Sequence, residues 1–266
     1  MTKEKYYIKE VFKFLEKVDY YFGSNFTADD VDMIRGAVEC VKPTYRVTNG
    51  ASKCVIIPDD RNYVIKIPFT GDSSDEIYEK DEEFYDYCCE NGFDYEACPY
   101  DKWEFENAGN SQNGWDYCLR ETEIYNAAKD CGIEQFFAKT IYIGDYHHHP
   151  IYIQEKCTTE YNTWESPYRK DIDLYQNVDT DKYSKADSYL EKCYRDAFDW
   201  NTESNWFICL FSYLKNRKGL TKTYKLLNKI AMFLDEEDVS DLHSSNIGLI
   251  EKNDRPVFVD YSGFDC

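Results

Sequence analysis

Two stretches near the end of the chain decide the fold: Asp241–Asn246, with the sequence DLHSSN, and Val257–Gly263, with the sequence VFVDYSG. Asp260 ends a β-type run 14 residues after Asn246. Between them, the apolar run IGLI and a polar turn predict a short hairpin with polar groups at both ends. The pattern therefore brings two carboxylates and one carboxamide to a common point. Such oxygen ligands suit Mg²⁺, which binds through one or two carboxylates together with substrate phosphates.

Composition excludes several classes of protein. Hydrophobic residues make up 42% of the chain and aromatic residues 17%, which indicates a globular protein. No apolar run approaches the roughly 20 residues of a membrane span, and the first residues lack the apolar region of a secretory signal. Eleven cysteines without CxxC spacing predict reduced thiols and a cytoplasmic location. The net charge of −20 argues against nucleic acid as a partner, so we expect neither a nucleic-acid nor a membrane partner.

The first 70 residues change from a helical to a strand pattern. Apolar groups at helical spacing predict one helix over residues 3–22 and a second after the N-cap candidate Thr27. Three short apolar runs separated by turns then predict an antiparallel meander over residues 45–69. Lys66 lies in the most apolar of these runs. A lysine there is either exposed at an edge or paired and used, because burying an unpaired charge is costly.

An acidic segment, residues 71–118, interrupts this pattern with 15 acidic and two basic residues. It is rich in Gly, Asn and aromatic residues, and we expect an insertion of irregular structure. It is either a solvated surface or a docking face for a basic partner. A helix follows, with Glu121 on its buried face and Glu123 turned away. The chain then predicts strands over 136–143 and 150–155, joined by a turn, and helices over 186–198 and 220–234.

Taken in order, these elements resemble the protein-kinase-like fold, including aminoglycoside and choline phosphotransferases and bacterial or phage-type kinase-like proteins. Val64-Ile65-Lys66 looks like the V-A-I-K strand of protein kinases. Asp241–Asn246 looks like the catalytic loop, and Asp260 stands where the Asp of D-F-G belongs, with one extra residue before Gly263. The resemblance implies an α+β fold with a five-stranded antiparallel N-lobe sheet carrying one helix, and a reduced, mostly helical C-lobe. The implied divisions are an N-terminal helical cap (1–44), an N-lobe with the acidic insert 71–118 (45–156), and a C-lobe (157–266).

The resemblance also implies roles in phosphoryl transfer from ATP. Lys66 would hold the α- and β-phosphates and pair with Glu121, and Asp241 would orient the attacking hydroxyl or accept its proton. The metal ligands to Mg²⁺ would be Asn246 and Asp260. The nucleotide would also contact the turn residues Gly50, Ala51 and Ser52 and the backbone of Glu155 and Cys157. The acceptor would be an unknown protein or small-molecule hydroxyl.

Departures from the family pattern leave a second interpretation open. The turn over residues 48–53 has one glycine where protein kinases have three, which makes close backbone approach to phosphate less assured. Val239 stands where protein kinases have His, and His243 where they have Lys, as in the small-molecule phosphotransferases. The sequence ends soon after Gly263, so we expect a truncated C-lobe without the usual peptide platform. The alternative to a phosphotransferase is therefore a kinase-like (pseudokinase) module that binds nucleotide or a protein partner without catalysis.

Overall fold

The computed structural model describes a defined part of the 266-residue chain. The described residues are 3–20, 22–50, 52–96, 116–158, 210, 213–214, 217–239, 246–250, 253 and 255–262. The helix predicted over residues 186–198 lies outside them, and so do Ala51, Asp241 and Gly263. Two compact units make up the chain. The first is formed mainly from Met1–Cys118 and Ile141–Gln154, and the second from Leu119–Thr140 and Glu155–Phe264. The predicted boundaries after residues 44 and 156 stay a prediction.

Two amphipathic helices begin the first unit, as their periodicity predicts: α1 (Lys3–Val18) and α2 (Val31–Val41). Thr27 caps the 3-10 turn that leads into α2. Its hydroxyl accepts a hydrogen bond from the Asp29 N–H at 3.2 Å, and the Asp30 carboxylate accepts one from the Thr27 N–H at 3.0 Å. This reciprocal pair satisfies amide groups that have no partner within the helix, so the predicted cap is confirmed.

A five-stranded antiparallel sheet follows, which confirms the expected α+β class. The strands lie in the order β1-β2-β3-β5-β4, and they are β1 (Arg46–Asn49), β2 (Lys53–Ile57), β3 (Tyr63–Pro68), β4 (Thr140–Tyr146) and β5 (His149–Glu155). The prediction that the fourth strand begins at Phe136 is wrong, because Glu134–Phe136 forms a 3-10 turn. Phe136 and Phe137 are apolar because they fill the core of the second unit, which the local pattern does not distinguish from a strand.

The acidic segment is not irregular over its first part, which corrects the expectation from composition. Residues Ser74–Asn91 form the helix α3. Its start has a capping box between Ser73 and Glu76, and its end has Gly92 in the left-handed conformation, with φ of 68°. Both are recognised signals for the start and the end of a helix. The prediction missed them because it was based on the Gly, Asn and aromatic content of the whole segment. Residues 97–115 lie outside the described part.

The second unit is built around α4 (Tyr117–Asp130) and α5 (Leu220–Glu236), together with a hairpin of β6 (Ile247–Ile250) and β7 (Arg255–Phe258). These elements share one core, to which α5 contributes Leu227, Ile230 and Leu234. The predicted hairpin and the predicted amphipathic helix over 220–234 are both confirmed. Among the described helices, none combines the length and the apolar character needed to cross a membrane.

Candidate functional site

Lys66 lies in the centre of β3 in the first unit, opposite Val55 of β2, and only 4% of its surface is exposed. Side chains alternate between the two faces of a strand. Ile65 and Ile67 face the core that the sheet shares with α1 and α2, so Lys66 belongs to the other face. The sequence allows two interpretations of Lys66, and the one in which it is exposed at a sheet edge is therefore wrong. A buried ammonium must be compensated by an acid, a polar group or a ligand, since its desolvation is costly.

A second buried lysine, Lys53, lies on the same face, and the sequence pattern did not reveal it. Lys53 is 3% exposed and is two residues from Val55, which pairs with Lys66. Diagonal neighbours of this kind have Cα atoms about 7–8 Å apart. The sequence placed Lys53 in a turn, and only the strand register shows that both cations belong to one face.

Of the predicted nucleotide-binding residues, Gly50 and Ser52 are described, and both lie between β1 and β2. The Gly50 N–H donates to the Lys53 carbonyl at 3.1 Å, and the Ser52 carbonyl accepts from the Phe69 N–H at 2.9 Å. Gly50 is not in the left-handed region, and a Cβ atom there would meet no atom of the described residues within 4 Å. Neither local space nor backbone conformation therefore demands a glycine at this turn.

Glu121 lies on α4 in the second unit and is completely buried, whereas the side chain of Glu123 is 57% exposed and lies 3.8 Å from Arg120. The predicted orientation of the helix is therefore confirmed. One Glu121 carboxylate oxygen accepts a hydrogen bond from the Thr140 hydroxyl at 3.1 Å. A buried carboxylate requires such donors, because burial otherwise disfavours its charged form.

Thr140 also connects Glu121 to the residue that follows Asp260. The hydroxyls of Thr140 and Tyr261 lie 3.2 Å apart, and Tyr261 donates to the Ala138 carbonyl at 2.8 Å. Burial, followed by the charge of Glu121, raises the pKa of Tyr261 well above its ordinary value, with Asp260 adding to the shift. Tyr261 therefore stays a neutral phenol and anchors the backbone next to Asp260. No sequence pattern indicates Thr140, because its role depends on contacts between distant residues.

Asn246 and Asp260 flank the open end of the β6–β7 hairpin in the second unit. The last ladder pair is Ile247 with Phe258, and the Asn246 carbonyl continues the ladder by accepting from the Val259 N–H at 2.9 Å. Asn246 is 6% exposed. Its main-chain oxygen is used by the ladder, so its side-chain amide is the group that would serve as a ligand. An amide oxygen and the Asp260 carboxylate are hard donors that fit Mg²⁺.

No protein-family model, curated protein or solved structure matches this chain. The chemistry of its own residues is therefore what indicates a function.

The predicted hinge residues belong to the second unit: Glu155 is the last residue of β5, and Cys157 comes two residues later. The Glu155 N–H donates to the Lys139 carbonyl at 2.9 Å, so this amide is used within the protein. The Glu155 carboxylate accepts from Arg255 at 3.1 and 3.3 Å. Cys157 lies against β6, because a Cβ atom added at Gly248 would be 2.5 Å from its Sγ atom.

The predicted site residues are thus divided between the two units. Lys66, Gly50 and Ser52 belong to the first unit, and the second contains Glu121 and the Asn246–Asp260 hairpin. The predicted ion pair between Lys66 and Glu121 stays a prediction. Within the described ranges, no three His, Cys, Asp or Glu side chains form a group suited to a metal ion. Asp241, the third predicted oxygen group near the hairpin, lies outside those ranges.

Proposed function

We propose that this protein is an ATP- and Mg²⁺-dependent phosphotransferase of the protein-kinase-like fold, which transfers the γ-phosphoryl group to a hydroxyl acceptor. In this proposal, Lys66 binds the α- and β-phosphates and is oriented by Glu121. Asn246 and Asp260 bind Mg²⁺, and Asp241 orients the acceptor hydroxyl. Phosphoryl transfer requires positioning and neutralisation of phosphate charge, and these residue types supply both.

The observation that carries the proposal is the burial of polar side chains at predicted site positions. Lys66 is 4% exposed, Glu121 0% and Asn246 6%. Lysine and glutamate are almost never fully buried unless they are paired, and each is costly to bury alone. Buried ionisable side chains of this kind are common at functional sites. The five-stranded antiparallel sheet, with Lys66 on its central strand, is the arrangement that the resemblance implies.

Lys53 adds support, because it is buried on the same face of the sheet as Lys66. Lysine is a common binder of phosphate, and a polyphosphate chain carries several anionic oxygens, so one chain can contact both ammonium groups. We therefore assign Lys53 a contact to phosphate, supplementary to that of Lys66.

A nucleotide-binding module without catalysis is the second candidate, and the turn at Gly50 favours it. The turn has a single glycine, whose conformation a residue with a Cβ atom would also adopt. Close cover of the phosphates by backbone amides is therefore less assured than in a glycine-rich loop. Such a protein would bind MgATP through the same residues but would release no ADP.

Thermal melting with MgATP, combined with ADP release, tests the proposal. A ligand at 100 times its Kd adds about 2.7 kcal/mol of stability, and each kcal/mol raises the Tm of a chain of this size by about 2–4 °C. We expect a rise of about 5–10 °C with MgATP, which Lys66→Met and Asp260→Asn reduce. Lys225→Met and Asp235→Asn are matched controls, because both residues are exposed on α5.

The outcomes separate the candidates. The phosphotransferase should show a rise in Tm with MgATP that the control variants retain. It should also release ADP, and Asp241→Asn should abolish this release. A shift without ADP release supports the binding module. If millimolar MgATP does not change the Tm, and if calorimetric titration with MgATP also detects no heat of binding, both candidates are wrong.

A further inference from the structure

A basic groove lies on the first unit, and the proposed phosphotransferase uses none of its lining residues. It has a volume of about 420 Å³ and is lined by α1, the end of α2 and residues near the β2–β3 turn. Its cations are Lys9, Lys13, Lys17, Lys42 and Arg61, and Glu10 is its one acidic lining residue. In a protein with a net charge of −20, this is a concentrated local excess of positive charge.

Arg61 is neutralised within the protein, so it is not the group that needs a ligand. Its guanidinium pairs with the Glu10 carboxylate and lies 2.9 Å from Asp60. These contacts raise the pKa of Arg61 further above its ordinary value, despite the opposing effect of burial. Arg61 and Glu10 therefore form a structural pair that lines the groove.

The lysines remain, and their arrangement is regular. Lys9, Lys13 and Lys17 recur every four residues on α1, which places them on one face over about 12 Å at 1.5 Å per residue. All three are exposed, and none has an ion-pair partner among the residues whose side chains the structure describes. Like charges at this spacing destabilise a helix unless an anion neutralises them. At the other side of the groove, the Lys42 ammonium is 5.6 Å from the centre of the Tyr45 ring.

We propose that this groove binds a small, extended polyanion with several phosphate groups, that is, a condensed phosphate chain, free or linked to a nucleoside. Lysine is a point charge that suits phosphate without demanding a fixed fork geometry. A row of three ammonium groups matches a linear chain better than a single phosphate. The volume lies within the range of small-molecule sites. A long nucleic acid is disfavoured, because the rest of the strongly acidic protein would repel it.

Calorimetric titration of the full chain with inorganic tripolyphosphate tests the proposal. The variant is Lys13→Gln with Lys17→Gln, and the matched control is Lys222→Gln with Lys225→Gln, two exposed lysines of α5. Both double variants change the net charge by the same amount. Thermal melting establishes that both are folded. Orthophosphate, ATP without Mg²⁺ and a single-stranded oligonucleotide are titrated in parallel.

We expect Lys13→Gln with Lys17→Gln to raise the Kd of tripolyphosphate about tenfold, while the control changes it less than twofold. The affinity should also fall steeply with salt, and orthophosphate should bind more weakly. Equal binding of ATP that depends on the same lysines identifies the nucleoside-linked form, and preference for tripolyphosphate identifies the free chain. The loss caused by Lys13→Gln with Lys17→Gln should be equally large in the Lys66→Met background, which separates this proposal from the phosphotransferase. The proposal is overturned if tripolyphosphate does not bind, if both double variants lose equally, or if the oligonucleotide binds more tightly through these lysines.

Discussion

Replacement of Gly248 by alanine should destabilise the second unit, although a glycine in a strand is normally a weak point. Gly248 lies in β6 and is buried. The chain at Thr158 runs beside this strand, with hydrogen bonds of 3.0 and 2.9 Å that join it in both directions to Leu249. A Cβ atom at position 248 would lie 2.5 Å from the Sγ atom and 2.9 Å from the Cβ atom of Cys157, and 3.1 Å from a methyl group of Val259.

Two opposing effects determine how much Gly248→Ala changes the free energy of unfolding. Alanine restricts the unfolded chain and thereby stabilises the folded state by about 0.4–1 kcal/mol where the site is unstrained. Overpacking a buried site costs about 1–3 kcal/mol, since carbon atoms normally approach to about 3.5–4.0 Å. The Cys157 Cβ atom is attached to the backbone, so it cannot move away as the end of a long side chain would. We therefore expect a net loss of about 1–2 kcal/mol, which lowers the Tm by about 2–8 °C.

Thermal melting of three single variants, Gly248→Ala, Gly36→Ala and Cys157→Ala, and of the double variant Gly248→Ala with Cys157→Ala measures this effect. Gly36→Ala is the control, because Gly36 is exposed inside α2 and a Cβ atom there meets no described atom within 4 Å. It should raise the Tm, since alanine is favoured over glycine in a helix by about 1 kcal/mol. Adding Cys157→Ala to Gly248→Ala removes the Sγ contact but leaves the Cβ contact. The pair should therefore couple favourably and restore part of the loss.

A steric conflict at position 248 is refuted if Gly248→Ala melts at or above the temperature of the unmodified protein. It is also refuted if Cys157→Ala lowers the Tm by the same amount in both backgrounds, because the two side chains then do not compete for space.

Three other predictions concern single side chains. Ser73→Ala removes the hydroxyl that accepts from the Glu76 N–H at 3.3 Å, so hydrogen exchange in α3 should quicken by the equivalent of about 1 kcal/mol; unchanged exchange would exclude a role for this cap. Burial raises the pKa of Cys54 from 9.0 to about 12, so between these pH values the folded protein keeps a proton that the unfolded chain loses. The Tm should therefore fall as pH rises from 9 to 12. Cys54→Ala should lessen this fall, and an equal fall in the variant would show that the thiol does not contribute. Arg255→Met breaks the ion pair with Glu155 and the hydrogen bond to the Gln135 carbonyl. It should lower the free energy of unfolding by about 1 kcal/mol in denaturant at low salt, and an unchanged value would show that neither contact contributes.

Local periodicity predicted the elements whose burial follows from their own pattern. The helical face that buries Glu121 and exposes Glu123 is a consequence of 3.6 residues per turn, and the structure has this orientation. The Thr27 cap and the β6–β7 hairpin could also be predicted from local sequence, because caps and tight turns depend on residues a few positions apart. Where composition was used instead of pattern, the prediction was wrong: the acidic segment includes α3, with a capping box at Ser73 and a C-terminal glycine at Gly92.

The remaining features depend on which strands pair and in what register. Lys53 was assigned to a turn, and its burial on the face of Lys66 became evident only from the pairing of β2 with β3. Thr140 connects Glu121 with Tyr261 across more than 100 residues, which no local pattern encodes. The sequence by itself therefore determined the helical and strand character of most described elements and the residue types of the candidate site. Tertiary structure decided which polar side chains are buried and which are neighbours, because long-range packing excludes water from a side chain, whereas local spacing only sets the face on which it lies.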